Sequence, residues 1–242
     1  MVSKSQLKLI TGLQQKKYRN KHKLFIAEGP KVIQEFLNSR FALHGLFTTQ
    51  ADEFSVAPDL MQHITDRELK SISNLTTPNK ALALFKIPPA EAVEFRAIIL
   101  ALDAVNDPGN LGTIIRLCDW FGVTHIVCSH DTVDCYNAKV VQASMGSLAR
   151  VYVSYVDLPE FLSQATIPVF ASGVAGNAVY TVTLPKEAVL IMGNEANGIS
   201  EGILSIAQER VAIPNFSHLQ QAESLNVATA TAILLSEFRR RL

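Results

Sequence analysis

From residue 97 to the C-terminus, five short apolar runs recur with room for a helix between successive pairs, at 97–102, 125–128, 168–172, 188–192 and 210–213. A run of four to six residues without polar alternation is the pattern of a strand covered on both faces, and alternation with helices joins such strands in parallel. The pattern predicts an α/β unit built on a mostly parallel sheet with helices on both faces. Ligands of such sheets gather beyond the carboxyl ends of the strands, so chemistry is sought in the segments that follow each run.

Upstream, residues 1–87 read as a smaller α/β unit. Its expected elements are a helix near 4–14, a strand near 24–27, a helix from Pro30 to about Asn38, a strand at 43–48, two short helical stretches around 58–72 and a strand at 81–86. Pro30 suits a first helical turn, where its missing N–H costs little. Pro88 and Pro89 stop the last strand, and the polar residues after them place a linker at 88–96, leaving 97–242 as the second domain.

Composition narrows the class. With 48% hydrophobic and 18% charged residues, the chain has enough apolar surface to bury a core, which excludes wholesale disorder. No apolar run approaches the roughly 20 residues that span a bilayer, and the N-terminus lacks a signal peptide's apolar stretch, so a cytoplasmic protein is expected. Three cysteines without a CxxC spacing fit a reducing compartment and supply neither a disulfide framework nor a zinc knuckle. The net charge is zero but unevenly spread. Residues 1–40 hold nine basic and two acidic side chains, a net +7 that the rest of the chain cancels. The densest cluster (Lys16, Lys17, Arg19, Lys21, Lys23, with Tyr18 among them) reads as a basic loop able to neutralise phosphates and stack on a base, set against the plainer reading of a solvated basic face.

Three segments carry the polar residues. After the first run comes Asp103-Ala104-Val105-Asn106-Asp107-Pro108-Gly109-Asn110-Leu111-Gly112, in which Asn110 reads as the N-cap of a helix ending at Gly122. Arg116 lies in that helix between Ile115 and Leu117, an apolar setting that calls for an ion-pair partner or a ligand. After the fourth run, Met192-Gly193-Asn194-Glu195-Ala196-Asn197-Gly198 describes a tight loop whose backbone can approach a ligand, with Ser200 as the cap of the next helix. After the fifth run, Ser224 and Asn226 open a final helix of small residues that closes on Arg239-Arg240-Arg241.

Other chemistries lack their signatures. There is no GxGxxG after the first strand and no GxxxxGK[ST], which removes the usual nicotinamide and ATP sites. The stretch from Ala171 to Gly176 superficially invites comparison with a nucleophile elbow but is not GxSxG, and His218 is a weak candidate for a hydrolase base. No His, Cys or carboxylate spacing suggests a metal site.

Taken together, Asn106-Asp107-Pro108-Gly109-Asn110-Leu111-Gly112 with Arg116, then Met192-Gly193 with Glu195 and Gly198, then Ile213-Pro214 with Glu223-Ser224-Leu225-Asn226-Val227, closely resemble the three motifs of the SpoU/TrmH family of RNA ribose 2′-O-methyltransferases. The stretch from Val133 through Lys139 and Ser144 to Gly146 resembles the family's segment between the first two motifs. Lys17, Arg19, Phe25, Glu28 and Gly29 resemble the substrate-binding domain that often precedes it, so the likeness covers essentially the whole chain. The resemblance implies a deep trefoil knot, a homodimer and S-adenosylmethionine as methyl donor; nothing in periodicity alone predicts a knot. It further implies donor binding by Ala171, Ser172, Gly173, Gly193, Ile213 and Leu225, and functional polar roles for Asn110, Arg116, Glu195, Ser224 and Asn226. RNA binding falls to 1–87 through Lys16, Lys17, Arg19, Lys21 and Lys23, with rRNA favoured over tRNA by family analogy. At Gln142 relatives often carry Arg, so one phosphate contact is expected to be absent or moved. Two other classes compete: a non-catalytic RNA-binding or ribosome-assembly factor that keeps the fold, and a small-molecule dehydrogenase, which the missing glycine fingerprint disfavours.

Overall fold

Ser3 accepts a hydrogen bond from the Gln6 backbone N–H while the Gln6 side chain accepts one from the Ser3 N–H. This reciprocal cap starts α1 (Lys4–Gly12) in the computed structural model, which describes residues 1–217 and 223–240. The basic cluster that follows is not a loop but a helix, α2 (Lys16–His22), closed by Lys23 in the left-handed region at φ 52°. Lysine and arginine are good helix formers, and the turn is anchored from inside by Arg19. After β1 (Leu24–Glu28) comes α3 (Pro30–Leu37), with Pro30 at its first turn as expected. Then follow β2 (Leu43–Thr48), β3 (Met61–His63), α4 (Asp66–Ile72) and β4 (Ala81–Lys86). Of the two helical stretches expected around 58–72, only α4 is an α-helix, started by a Thr65–Glu68 capping box. Between the two lies β3, which pairs parallel to β2.

These strands form one sheet in the order β1-β4-β2-β3. One core gathers Ile10, Leu13, Leu24, Ile26, Phe47, Ile64, Leu69, Ile72, Leu82 and Leu84. Phe25, Phe36, Phe41 and Phe85 form an aromatic cluster of their own, with Phe25 and Phe36 rings 5.2 Å apart at a steep angle.

The second unit begins after Pro89. Val93 and Phe95, inside the expected linker, pack against its core, the Phe95 ring 4.9 Å from that of Phe161. Strand β5 (Ile98–Leu102) leads to α5 (Pro108–Trp120) and β6 (His125–Ser129). The next segment, 134–150 with α6 (Ala138–Ala143), belongs to the first compact unit, where Tyr136 lies 4.9 Å from Phe25. Compactness and the division of the sequence into 1–87 and 97–242 therefore differ over these residues. The chain continues through β7 (Tyr152–Val156), α7 (Leu158–Ser163), β8 (Val169–Gly173), β9 (Asn177–Ala178), β10 (Ala188–Met192), α8 (Glu201–Leu204), β11 (Glu209–Ala212) and α9 (Val227–Arg239).

The seven strands run β7-β6-β5-β10-β8-β11-β9, and every neighbouring pair is parallel. The continuous apolar runs follow from this. Ile99, Ala101, Val127, Val169, Val189 and Ile191 pack beneath Leu158, Leu162, Ile199 and Ile203 of the α7 and α8 regions. The alternate residues face the other way, where Phe170 meets Phe238 of α9 edge to face at 5.3 Å. Two strands lack an apolar run, β7 and the two-residue β9, which lie at the two edges of the sheet and are partly exposed. Without cover on both faces, neither carries the uninterrupted apolar signature.

Candidate active site

Register places the ends of four strands side by side. Met192 of β10 pairs with Leu102 of β5, Ile191 with Ala171 of β8, and Ala212 of β11 with Gly173. The three polar segments all leave the sheet at this carboxyl edge. Helix α5 is capped by Asp107, not Asn110: the Asp107 carboxylate accepts from the Asn110 backbone N–H at 2.8 Å. That correction frees the Asn110 side chain. Its Nδ2 donates to Glu195 Oε1 at 2.7 Å, and its Oδ1 accepts from Asn226 Nδ2 at 2.9 Å. Asn226 in turn caps α9, its Oδ1 accepting from the N–H groups of Ala228 at 3.0 Å and Thr229 at 3.3 Å. Both amide orientations are dictated from the ends, since a carboxylate only accepts and backbone N–H groups only donate. Residues from three motifs, 116 positions apart at the extremes, thus form one directional relay.

The loop from Gly193 to Ser200 is held by contacts that the motif pattern does not reveal. Asn194 and Gly198 exchange backbone hydrogen bonds of 2.9 Å. Asn194 Oδ1 accepts from the N–H groups of Ala196 and Asn197, and its Nδ2 donates to the Ala104 carbonyl at 2.7 Å. Asp103, buried just past β5, accepts from the Ser200 N–H at 2.8 Å. Ser200 starts α8 without a side-chain cap bond. Position 193 must be glycine: a Cβ there would lie 2.3 Å from the Gly198 carbonyl carbon. Gly198 takes φ +69°, the left-handed region that glycine enters at no steric cost. The signal for Asp103 and Asn194 was positional, as each sits at the strand end where a parallel sheet carries its chemistry.

Arg116 is exposed, sharing an outward stripe of α5 with Gly109, Thr113 and Trp120, and makes no hydrogen bond or ion pair among the described residues. Apolar neighbours in sequence therefore do not bury Arg116, contrary to expectation; its guanidinium is open to a ligand, not rescued from burial. Ser224 is exposed and stands outside the relay. Ala171, Ser172 and Gly173 are the last residues of β8 rather than a loop, passing from buried to exposed, with Ile213 just beyond β11 and Leu225 50% exposed. His218 lies outside the described residues. Cys118 and Cys128 are fully buried, and burial drives both thiols far above their ordinary pKa, so neither is a nucleophile.

In the first unit, Lys16, Lys17, Tyr18, Lys21, His22 and Lys23 are exposed on and around α2. Arg19 departs from that set. It is 3% exposed, donates from Nε and Nη2 to Asp134 Oδ2 at 2.8 and 2.6 Å, and from Nη1 to the Leu13 and Gln14 carbonyls. With its fork spent on the protein, Arg19 cannot grip RNA; it fastens α2 to the 134–150 segment. Among the described residues no helix is long and apolar enough to cross a membrane.

Comparison with known proteins agrees with this geometry. The model of the SpoU rRNA Methylase family matches residues 97–236, and that of the MRM3-like substrate binding domain matches 4–83. The 23S rRNA (guanosine(2553)-2′-O)-methyltransferase RlmP of Bacillus subtilis is 30% identical over 94% of this chain and 93% of its own. A TrmH-family protein from Porphyromonas gingivalis superposes with a TM-score of 0.92 at 36% identity over the whole of both chains. An AdoMet-bound rRNA methyltransferase from Sinorhizobium meliloti superposes at 0.89 with 29% identity, covering 100% of this chain and 97% of that one.

Proposed function

The chain belongs to the SpoU rRNA methylase family, and from that premise we propose how its own residues carry out the reaction. It is an S-adenosylmethionine-dependent RNA ribose 2′-O-methyltransferase. Ribosomal RNA is the proposed substrate, on the strength of relatives whose names specify 23S rRNA. The observation that carries the site assignment is the Asn226–Asn110–Glu195 relay at the carboxyl edge of the sheet.

The sheet edge fits the methyl donor. Gly173, Gly193 and Ile213 stand at the ends of the three adjacent strands β8, β10 and β11, where Gly173 leaves its backbone exposed, Gly193 lets the following loop fold back closely, and Ile213 and Leu225 offer apolar surface to a nucleoside. We assign Ala171, Ser172, Gly173, Gly193, Ile213 and Leu225 to hold it. When bound, it supplies a methyl group already activated by sulfonium. The protein must then align a 2′-hydroxyl and relieve the charge that grows on its oxygen. Arg116 is permanently protonated and cannot act as a base. It grips an RNA phosphate and stabilises the developing alkoxide, while the phosphate or a water takes the proton. The relay orients Glu195 and keeps the start of α9 in place, and Ser224 faces the substrate.

Lys16, Lys17, Lys21 and Lys23 of the 1–87 module would contact RNA phosphates, with Tyr18 beside them, while 97–242 carries the catalytic motifs. A homodimer is supported by Trp120, 84% exposed on the stripe that also carries Arg116, and light scattering at twice 26.5 kDa checks it. The family's trefoil knot and a cytoplasmic location belong to the same reading; threading of the chain through the 188–226 region in a crystal structure tests the first, and cell fractionation the second.

Arg116→Ala is expected to lower methyl transfer to unmodified rRNA at least about 100-fold while leaving donor affinity within about twofold. Full turnover by this variant removes Arg116 from the mechanism. Mapping ribose methylation across total RNA with and without the protein names the nucleotide; no lost mark in rRNA would overturn the substrate assignment.

A further inference from the structure

Helix α6 ends in an uncommon way. Ser144 is fully buried and closes the helix, its hydroxyl donating to the Val141 carbonyl at 2.8 Å. The next two residues, Met145 at φ 51° and Gly146 at φ 92°, both adopt left-handed backbone. Gly146 needs it: a Cβ there would lie 2.6 Å from Glu35 Cγ of α3, and Glu35 is itself held by an ion pair to Arg150. Met145 does not. It occupies the position after a helix where glycine is cheapest, and a side chain there adds backbone strain. That side chain is 52% exposed, so packing within the chain repays the strain only in part. Of the five non-glycine residues with positive φ among the described residues, only Met145 has a large apolar side chain.

A locally unfavourable residue that leaves half of a large apolar side chain in solvent marks a contact made with something else. We propose that Met145 is an RNA-reading residue whose thioether side chain packs against an unstacked base of the substrate. An RNA base fits better than a protein partner for two reasons. The same compact unit carries the net +7 segment, and Lys139 on α6 is also exposed to meet a phosphate. Single-stranded RNA offers splayed bases, and methionine is among the apolar side chains that wedge between base steps. This inference rests on the RNA methyltransferase reading above.

The test uses the full chain with unmodified ribosomal RNA made by transcription. Met145→Gly relieves the strain, so it should raise the melting temperature by about 1–3 °C, yet raise the KM for RNA roughly 5- to 10-fold with donor affinity unchanged. Met145→Leu, which keeps an apolar side chain of similar size, should restore most of the RNA affinity. Equal KM values for wild type and Met145→Gly overturn the proposal, as does a loss of oligomeric mass in that variant, which would make Met145 a subunit contact. If the wild type transfers no methyl group to this RNA, the functional reading fails separately. Filter binding of the same RNA then decides Met145: equal affinity in wild type and variant overturns it, and weakened affinity in the variant supports it.

Discussion

Asn226 shows how one residue serves both the fold and the site. Its carbonyl oxygen starts α9, and its amide nitrogen reaches Asn110, which reaches Glu195. Asn226→Asp separates the two roles. An aspartate caps a helix as well as asparagine and suits the positive end of the dipole, so the melting temperature should hold or rise slightly. It cannot donate to Asn110 Oδ1, however. Flipping the Asn110 amide to satisfy the new carboxylate only sets its oxygen against Glu195, so the relay is broken at one end or the other. Losing a hydrogen bond of this kind is worth about 1–3 kcal/mol, so methyl transfer should fall between about 5- and 150-fold. A variant with intact stability and wild-type turnover would show that the relay is a helix cap and nothing more. Arg19 makes the converse point. It looked like an RNA contact because it sits among lysines, but its donors are used on Asp134 and two carbonyls.

At the scale of elements, the loop after β10 is the most constrained piece of the site. Gly193→Ala would press a methyl group into the Gly198 backbone, and flexible side chains are not what it meets there. The loop must shift, with a stability loss of about 1–3 kcal/mol and a donor affinity reduced at least about tenfold by calorimetry; unchanged affinity would remove this loop from the donor site. The helix α2 makes a prediction of a different kind. Changing Lys16, Lys17, Lys21 and Lys23 to glutamine should flatten the dependence of RNA affinity on salt by about 0.7 in log–log slope for each phosphate no longer neutralised. An unaltered slope would leave α2 a solvated face. These elements also show what was legible in the sequence. The central strands could be read because burial on both faces leaves an uninterrupted apolar signature, and the glycines at 193 and 198 because tight loops need them. Edge strand β7 and helix α2 were not, since one is half exposed and the other is exposed at every position but Arg19 and shows no apolar face. The relay itself depends on hydrogen bonds between residues 85 and 116 positions apart, which only the parallel register brings together.

At the scale of the molecule, the assignment of 134–150 to the first compact unit changes how the chain can be taken apart. A fragment beginning at residue 97 keeps every motif and all seven strands of the parallel sheet, and by sequence it is the obvious catalytic domain. It also keeps Tyr136, half-buried, and the buried side chains of Cys135, Val140, Val141 and Leu148, while discarding Phe25 and the rest of the unit they pack with. It keeps Asp134 as well, but removes Arg19, leaving a carboxylate without the guanidinium that satisfies it. Apolar surface stripped of its cover seeks other partners. The fragment 97–242 is therefore expected to bind a hydrophobic dye strongly and to melt over a broad range, whereas the full chain with four α2 lysines changed to glutamine should bind no more dye than wild type and melt sharply. If the fragment instead stays monodisperse, melts cooperatively and binds no dye, the 134–150 segment folds independently of residues 1–89, and the boundary lies where the sequence alone would draw it.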